Sequence, residues 1–174
     1  MENDEVLYPT NNKVMFSVDN IAELKTMAYD NPRKRVRLCC HQSPKEIVHE
    51  MIIVHSQECY VRPHSHTKRN ESIYIIEGEA DLVFFNLDGA ICSIVELGDL
   101  RSGKTIYQKI PRNTVHTLIF HTPFLVFKEV TQGPFEQDST IFPYWSPSDN
   151  NGLDIIGPYL QSIATQAEQF RAKK

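Results

Sequence analysis

No stretch of this chain approaches the ~20 consecutive apolar residues of a membrane-spanning helix, so no transmembrane segment is expected. The opening run MENDEVLYPT is acidic and polar with no apolar centre, which argues against a secretory signal and points to the cytoplasm. Cysteine is scarce: Cys39, Cys40, Cys59 and Cys92 show no C-x-x-C spacing. In a reducing compartment these four are expected to be buried thiols rather than disulfides or metal ligands. Neither sign of charge dominates, with a formal net charge of −4 and a pI near 6.0, which removes the electrostatic case for nucleic acid or an anionic membrane as partner. One local basic run, Arg33-Lys34-Arg35 with Arg37, reads as the solvated start of a strand, or else as a contact to an anionic substrate or a second subunit. Internal repeats and low-complexity segments are also missing.

What is present is enough chain for one core. A domain of 174 residues buries about 70% of its unfolded surface and needs no staples. We divide it into a leader and helix over 1–35, a β-barrel over 36–131, and a surface coil with a C-terminal helix over 132–174. Residues 1–13 read as a polar leader. Ser17 or Asp19 can cap a short helix reaching about Tyr29, in which Ile21, Leu24, Met27 and Ala28 recur at helical spacing, and Asn31-Pro32 ends it. Strands are expected at 36–40, 47–55, 59–66, 71–76, 80–86, 90–97, 105–110, 115–120 and 124–130. Their number and rhythm predict a mainly β sandwich or barrel. The strand 47–55 is apolar on both sides in its second half, the mark of a strand covered on both faces. From Leu153 onward, Ile156, Leu160, Ile163, Ala167 and Phe170 give a helix with one apolar face, and Pro158 near its first turn. That helix must dock on its own barrel or on a second subunit.

The richest stretch is YVRPHSHTKRNESIYIIEG, Tyr60 to Gly78. Residues two apart on a strand point to the same side, so His64 and His66 can address one point. After a polar turn, Glu71 shares the parity of Ile73 and Ile75, an apolar and therefore inward face. A carboxylate there is costly unless paired, hydrogen-bonded or bound to a metal. Gly78 permits the bend that closes the segment. A His-x-His pair alone is weak in a chain with seven histidines; the Glu and Gly at fixed offsets make coincidence a poor explanation. A second segment, Ile110-Pro111-Arg112-Asn113-Thr114-Val115-His116, places His116 at the head of an apolar strand, where it is the fourth candidate ligand. Three imidazoles and a carboxylate suit one divalent ion such as Fe, Mn, Ni or Zn, with two octahedral positions left for ligand or water.

His-x-His-x4-Glu-x6-Gly followed by Pro-x-x-x-x-His resembles the two motifs of the cupin superfamily, small double-stranded β-helix or jelly-roll barrels that hold a metal. More narrowly, Tyr-Val-Arg-Pro-His-Ser-His, the segment Arg37 to His41, Glu129 with Gly133-Pro134-Phe135, and Trp145-Ser146-Pro147 resemble the WbuC-type cupin fold metalloproteins. The likeness covers roughly residues 36–147. It implies a cupin-type barrel with a short N-terminal and a C-terminal helix, a homodimer, and an association with surface polysaccharide (O-antigen or lipopolysaccharide) biosynthesis. It also aligns Arg37 and His41 with the family's pocket. Asn113 stands where the second motif usually has Gly, and Asn is the residue that best tolerates a left-handed backbone; Phe120 stands where the motif usually ends in Asn.

Glu129 is the candidate general base or metal-site partner, with His41 beside it as a second catalytic candidate. Tyr60, Arg62 and Tyr74, with Arg37, are the expected pocket wall. His49, His55 and His121 lack a ligand-spaced partner and read as hydrogen-bonded or exposed. Two classes of function stay open for a small-molecule ligand. One is an enzyme using the metal as Lewis acid for isomerisation or epimerisation of a sugar-like or other small polar metabolite, or as Fe(II) in an oxygenase. The other is a non-catalytic sensor or binding module.

Overall fold

The computed structural model describes residues 5–173. Its elements in chain order are β1 (Val6–Leu7), α1 (Val18–Asp30), β2 (Arg35–Cys39), β3 (Val48–Ser56), β4 (Ser65–His66), β5 (Glu71–Glu77), β6 (Glu79–Phe85), β7 (Ile91–Gly98), β8 (Tyr107–Ile110), β9 (Val115–Phe120), β10 (Phe124–Gln132), β11 (Thr140–Ile141) and α2 (Leu153–Ala172), with a 3₁₀ turn at Gln137–Ser139. The strands form a six-stranded sheet in the order β1-β2-β3-β10-β5-β8, a three-stranded sheet β7-β6-β9, and the short pair β11-β4.

Period-2 alternation sorts each strand onto two faces. On the inner faces, Met51, Ile53, Ile73, Ile75, Leu82, Leu118 and Phe127 make one core between the two larger sheets. On the outer face of β2, β3 and β10, Val36, Ile52, Val54 and Val126 meet Leu24 and Ala28 of α1. That helix explains why β3 is apolar on both sides. α1 begins where expected: Ser17 and Asn20 form a capping box, each side chain serving the other's backbone N–H.

The outer face of β6 is covered in the same way by α2, whose Ile163 packs with Val83, Phe85 and Val115. The far end of α2 is tied down electrostatically. Arg171 pairs with Asp81, a carboxylate only 2% exposed that also lies 2.8 Å from His121 Nε2. The C-terminal helix therefore docks on its own barrel. Pro158 falls at the sixth residue of α2 rather than in the first turn, so the carbonyl of Asp154 has no amide partner four residues on.

Two expectations are corrected. The leader is not merely polar coil: Val6 and Leu7 add a parallel strand beside Arg37 and Leu38, and residues 1–4 lie outside the described chain. The segment 59–66 is a strand only at Ser65–His66; Cys59 to Pro63 runs outside the sheets, and Pro63 has no amide to donate to a ladder. The four cysteines are free thiols, with Cys39 and Cys59 buried. Among the described residues, no helix is long and apolar enough to cross a membrane.

Candidate metal centre

β4 and β5 flank the turn 67–70, and β9 runs beside β4 through a bridge between His64 and His116. His64 N–H donates to His116 O over 3.1 Å and His116 N–H returns to His64 O over 3.0 Å, which fixes the two motif segments in register. Asn113 holds the turn before His116 at φ +61°, the left-handed conformation that an Asn can supply.

The candidate ligand atoms of His64, His66 and Glu71 lie within 4.8 Å of one another. His116 stands beside this trio, with Nε2 3.4 Å from Glu71 Oε2 and its ring centre 4.5 Å from that of His64. Each imidazole is held from behind. His64 Nδ1 lies 2.8 Å from the Arg62 carbonyl, His116 Nδ1 lies 2.9 Å from the Thr114 carbonyl, and His66 Nδ1 lies 3.1 Å from Thr140 Oγ1. A carbonyl accepts from Nδ1–H, so His64 and His116 carry the proton on Nδ1 and leave Nε2 as a lone pair. His66 Nε2 is buried and 2.8 Å from Glu71 Oε1, yet the approach lacks hydrogen-bond geometry and the nitrogen has no other partner. A buried imidazole nitrogen this close to a carboxylate, without hydrogen-bond geometry between them, is the arrangement that a cation between the two resolves.

The electrostatics agree. Burial, together with the neighbouring His116, pushes His64 down to about 3 against the pull of Glu71, so its ring is neutral at neutral pH, as a metal ligand must be. Burial alone raises the Glu71 carboxyl, but the adjacent His116 and His66 imidazoles hold it below the usual carboxylate range. These donors fit a borderline divalent ion, and they are the residues that would hold it.

The centre opens on a cavity of about 570 Å³ between the two larger sheets, within the usual size range of small-molecule sites. Glu129, Arg37 and Arg62 line it, as expected. Glu129 exposes its carboxyl to the cavity while protein surrounds it. Burial first, and the charge of Glu71 second, push it up to about 7 in spite of Arg37 and Arg69. Arg62 is fixed by hydrogen bonds from Nε to Ser146 Oγ and from Nη2 to Ser146 O, and lies over the Phe142 ring at 4.5 Å.

Other expected site residues lie elsewhere. Tyr74 has the opposite parity to Ile73 and Ile75, so it faces outward into a groove beside α1. Tyr60 stands behind the cavity wall, donating its hydroxyl to Pro147 O and packing edge-on against Tyr159. His41 is outside the cavity too: its ring stacks on His49 at 4.0 Å and its Nδ1 lies 3.1 Å from Glu50 O. The turn between β2 and β3 carries it past the end of the barrel.

Sequence reasoning missed several lining residues. His55 is in the wall, held edge-on by Phe120 and Phe127. Its signal was parity with Ile53, visible once β3 is known to be covered. Arg33 is exposed at the cavity mouth, as a solvated strand start would be, whereas Arg35 is largely covered; both line the cavity and pair with Glu5, a buried residue of the leader. Arg69 lines it two residues before Glu71. Phe135 and Phe142 of the coil that follows β10 form part of the same wall.

Fold and site together define a cupin-type barrel with a candidate metal centre inside. The family described as "Domain of unknown function (DUF6016)" matches residues 16–97. No curated protein matches the chain. Among solved structures, the chain is similar to protein SO0799 from Shewanella oneidensis, at 12% identity over 84% of this chain and 94% of that one, with a TM-score of 0.57. It is also similar to CapF in complex with the inhibitor 3-isopropenyl-tropolone, at 15% identity over 64% of this chain, with a TM-score of 0.50; a second CapF structure, described as the capsular polysaccharide assembling protein from Staphylococcus aureus, matches at 15% identity over 61% of this chain, with a TM-score of 0.48. The oxalate decarboxylase of Lactobacillus farciminis matches at 20% identity over 56% of this chain, with a TM-score of 0.44. The chain spans 32% of the length of CapF and 27% of that decarboxylase. At these identities the likeness is one of fold.

Proposed function

We propose that this protein is a WbuC-type, metal-binding cupin that acts on a sugar-like or other small polar metabolite in surface polysaccharide biosynthesis. The observation that carries the metal reading is that His64 and His116 are tied at Nδ1 to carbonyls, leaving Nε2 unprotonated, while candidate ligand atoms of His64, His66 and Glu71 converge within 4.8 Å. The sequence resemblance to the WbuC-type proteins carries the narrower family and the polysaccharide context. CapF, described as a capsular polysaccharide assembling protein, shares the fold and is compatible with that context, though fold alone does not fix function.

A divalent ion held by His64, His66, Glu71 and His116 would supply Lewis acidity toward a carbonyl or hydroxyl of the ligand. The chain's own part in an isomerisation or epimerisation is proton handling. Glu129 looks into the cavity with a carboxyl poised near neutrality, suited to take a proton from a carbon or hydroxyl and return it. Arg62, fixed by Ser146, would hold a ligand oxygen in place.

Elemental analysis of protein purified without a His-tag or chelator tests the metal reading: we expect about one equivalent of Fe, Mn, Ni or Zn per chain. Protein that remains empty after anaerobic reconstitution would favour the alternative, a binding or sensor module without a metal. Iron with substrate-dependent oxygen uptake would favour the oxygenase. Glu129 has its own check. Carbon NMR of the metal-free protein should show one carboxyl titrating near 7, absent in Glu129→Gln, and moving to lower pH when a divalent ion is added, because a nearby cation favours the ionised form. In Glu129→Gln we expect metal content to be kept and turnover lost; full turnover would remove Glu129 from the reaction.

A further inference from the structure

The arginines around the cavity bear on what the ligand carries, an inference that rests on the small-molecule reading above. Cross-strand register places Arg35 opposite His55, Arg37 opposite Ile53, and Glu129 opposite both Met51 and Ile73. Paired residues share a face, so Arg35, Arg37, His55 and Glu129 all project from the inner side of the large sheet, the side that also bears Glu71.

Internal acids neutralise part of this bank. Glu5 accepts from Arg35 Nε at 2.6 Å and from Arg33 Nη1 at 3.3 Å, and Arg33 also pairs with Asp149 at 2.5 Å. Arg37 is different. Its ion-pair contact among the described residues is a 4.0 Å approach to the same, already shared, Glu5 oxygen. Across the cavity Arg62 is bound to Ser146, with no acid on its guanidinium among the described residues, and the Nε of Arg69 is buried without a hydrogen-bond partner among them, 3.9 Å from Glu71 Oε1.

Five arginines therefore face four acids, Glu5, Glu71, Glu129 and Asp149, around one cavity. Even with every acid ionised the lining keeps a positive surplus of one, and a divalent ion would raise it to three. A neutral sugar does nothing for that charge, whereas an acid compensates it through charge-assisted hydrogen bonds. Beside Arg37, His55 is 7% exposed, lines the cavity and has no partner for Nδ1. Burial and the charges of Arg35, Arg37 and Arg33 keep its ring neutral, so it has a nitrogen to offer a ligand oxygen without adding charge.

We infer that the ligand is a monosaccharide-sized acid, with a carboxylate or phosphate held by Arg37 beside His55 and its hydroxyl or carbonyl end at the histidine centre. The bidentate fork of Arg37 suits either oxyanion.

The test is calorimetric titration of the purified protein, its metal content recorded, with malonate, inorganic phosphate and neutral glycerol at fixed ionic strength. Malonate or phosphate should bind and glycerol should not, and which anion binds tighter separates a carboxylate from a phosphate ligand. Arg37→Gln should weaken the preferred anion about tenfold, and Arg37→Lys, which keeps the charge but loses the fork, by less. A rise in the wild-type melting temperature with the anion, and none with chloride at equal ionic strength, supports the same conclusion without a variant. Binding of neither anion, or unchanged binding in Arg37→Gln, overturns the inference. Full metal without anion binding would sink this inference and leave the metal reading standing. Anion binding through Arg37 in a protein that takes up no metal would do the reverse.

Discussion

His64→Ala and His116→Ala are each expected to lose bound metal while the barrel remains folded. Each change deletes one donor from a set with a single carboxylate, and the remaining groups cannot replace it, because their rings are already tied at Nδ1. Losing a partner behind a ligand typically costs 10–100-fold in affinity, so losing the ligand itself should cost more than about a hundredfold. The fold is expected to survive, since neither ring belongs to the three apolar clusters of the core. Two readouts check this. Elemental analysis should show metal falling severalfold, and the rise in melting temperature that added metal gives the wild type should shrink toward zero, since stabilisation follows occupancy. Full metal in both variants would show the ligand assignment to be wrong.

Gly78→Ala is expected to destabilise the protein by about 2–4 kcal/mol, the range of a strained backbone combined with a main-chain clash. Gly78 sits between β5 and β6 at φ +90°, a conformation that residues with a Cβ rarely adopt. A Cβ there would also meet Phe124 O at 2.3 Å and Thr122 Oγ1 at 2.6 Å. The Phe124 carbonyl is backbone at the head of β10, so it cannot step aside as a flexible side chain would. Chemical denaturation should show a lower midpoint with an unchanged slope. A midpoint within error of the wild type would mean that this corner relaxes freely.

Much of this was legible because it is local. The alternation of Ile73 and Ile75 with Glu71 identified an inward carboxylate, the offsets of His64, His66 and His116 identified their partners, and Ser17 announced the start of α1. Asn113 could be read as a left-handed turn residue from its side chain alone. Where reading failed, the deciding contact was distant. Tyr74 was assigned to the pocket although its parity, opposite to that of Ile73, places it outside. His41 was placed there by resemblance, but the β2–β3 turn carries it to a stack with His49. The ion pairs of the basic run could not be read locally, because its acids are distant in sequence; Glu5 lies 28 residues before Arg33 and Asp149 lies 116 residues after it.

The sequence by itself determined the barrel, its two flanking helices and the residue types gathered for a cation, because strand periodicity, helix capping and motif spacing act over a few residues. Only the tertiary structure decided what surrounds those candidate ligands. Cross-strand register turned Arg35, Arg37, His55 and Glu129 toward one space, and the return of 135–149 laid Phe135, Phe142 and Asp149 against it. The charge of that cavity is a sum over groups far apart in the chain, and only folding brings them close enough to interact.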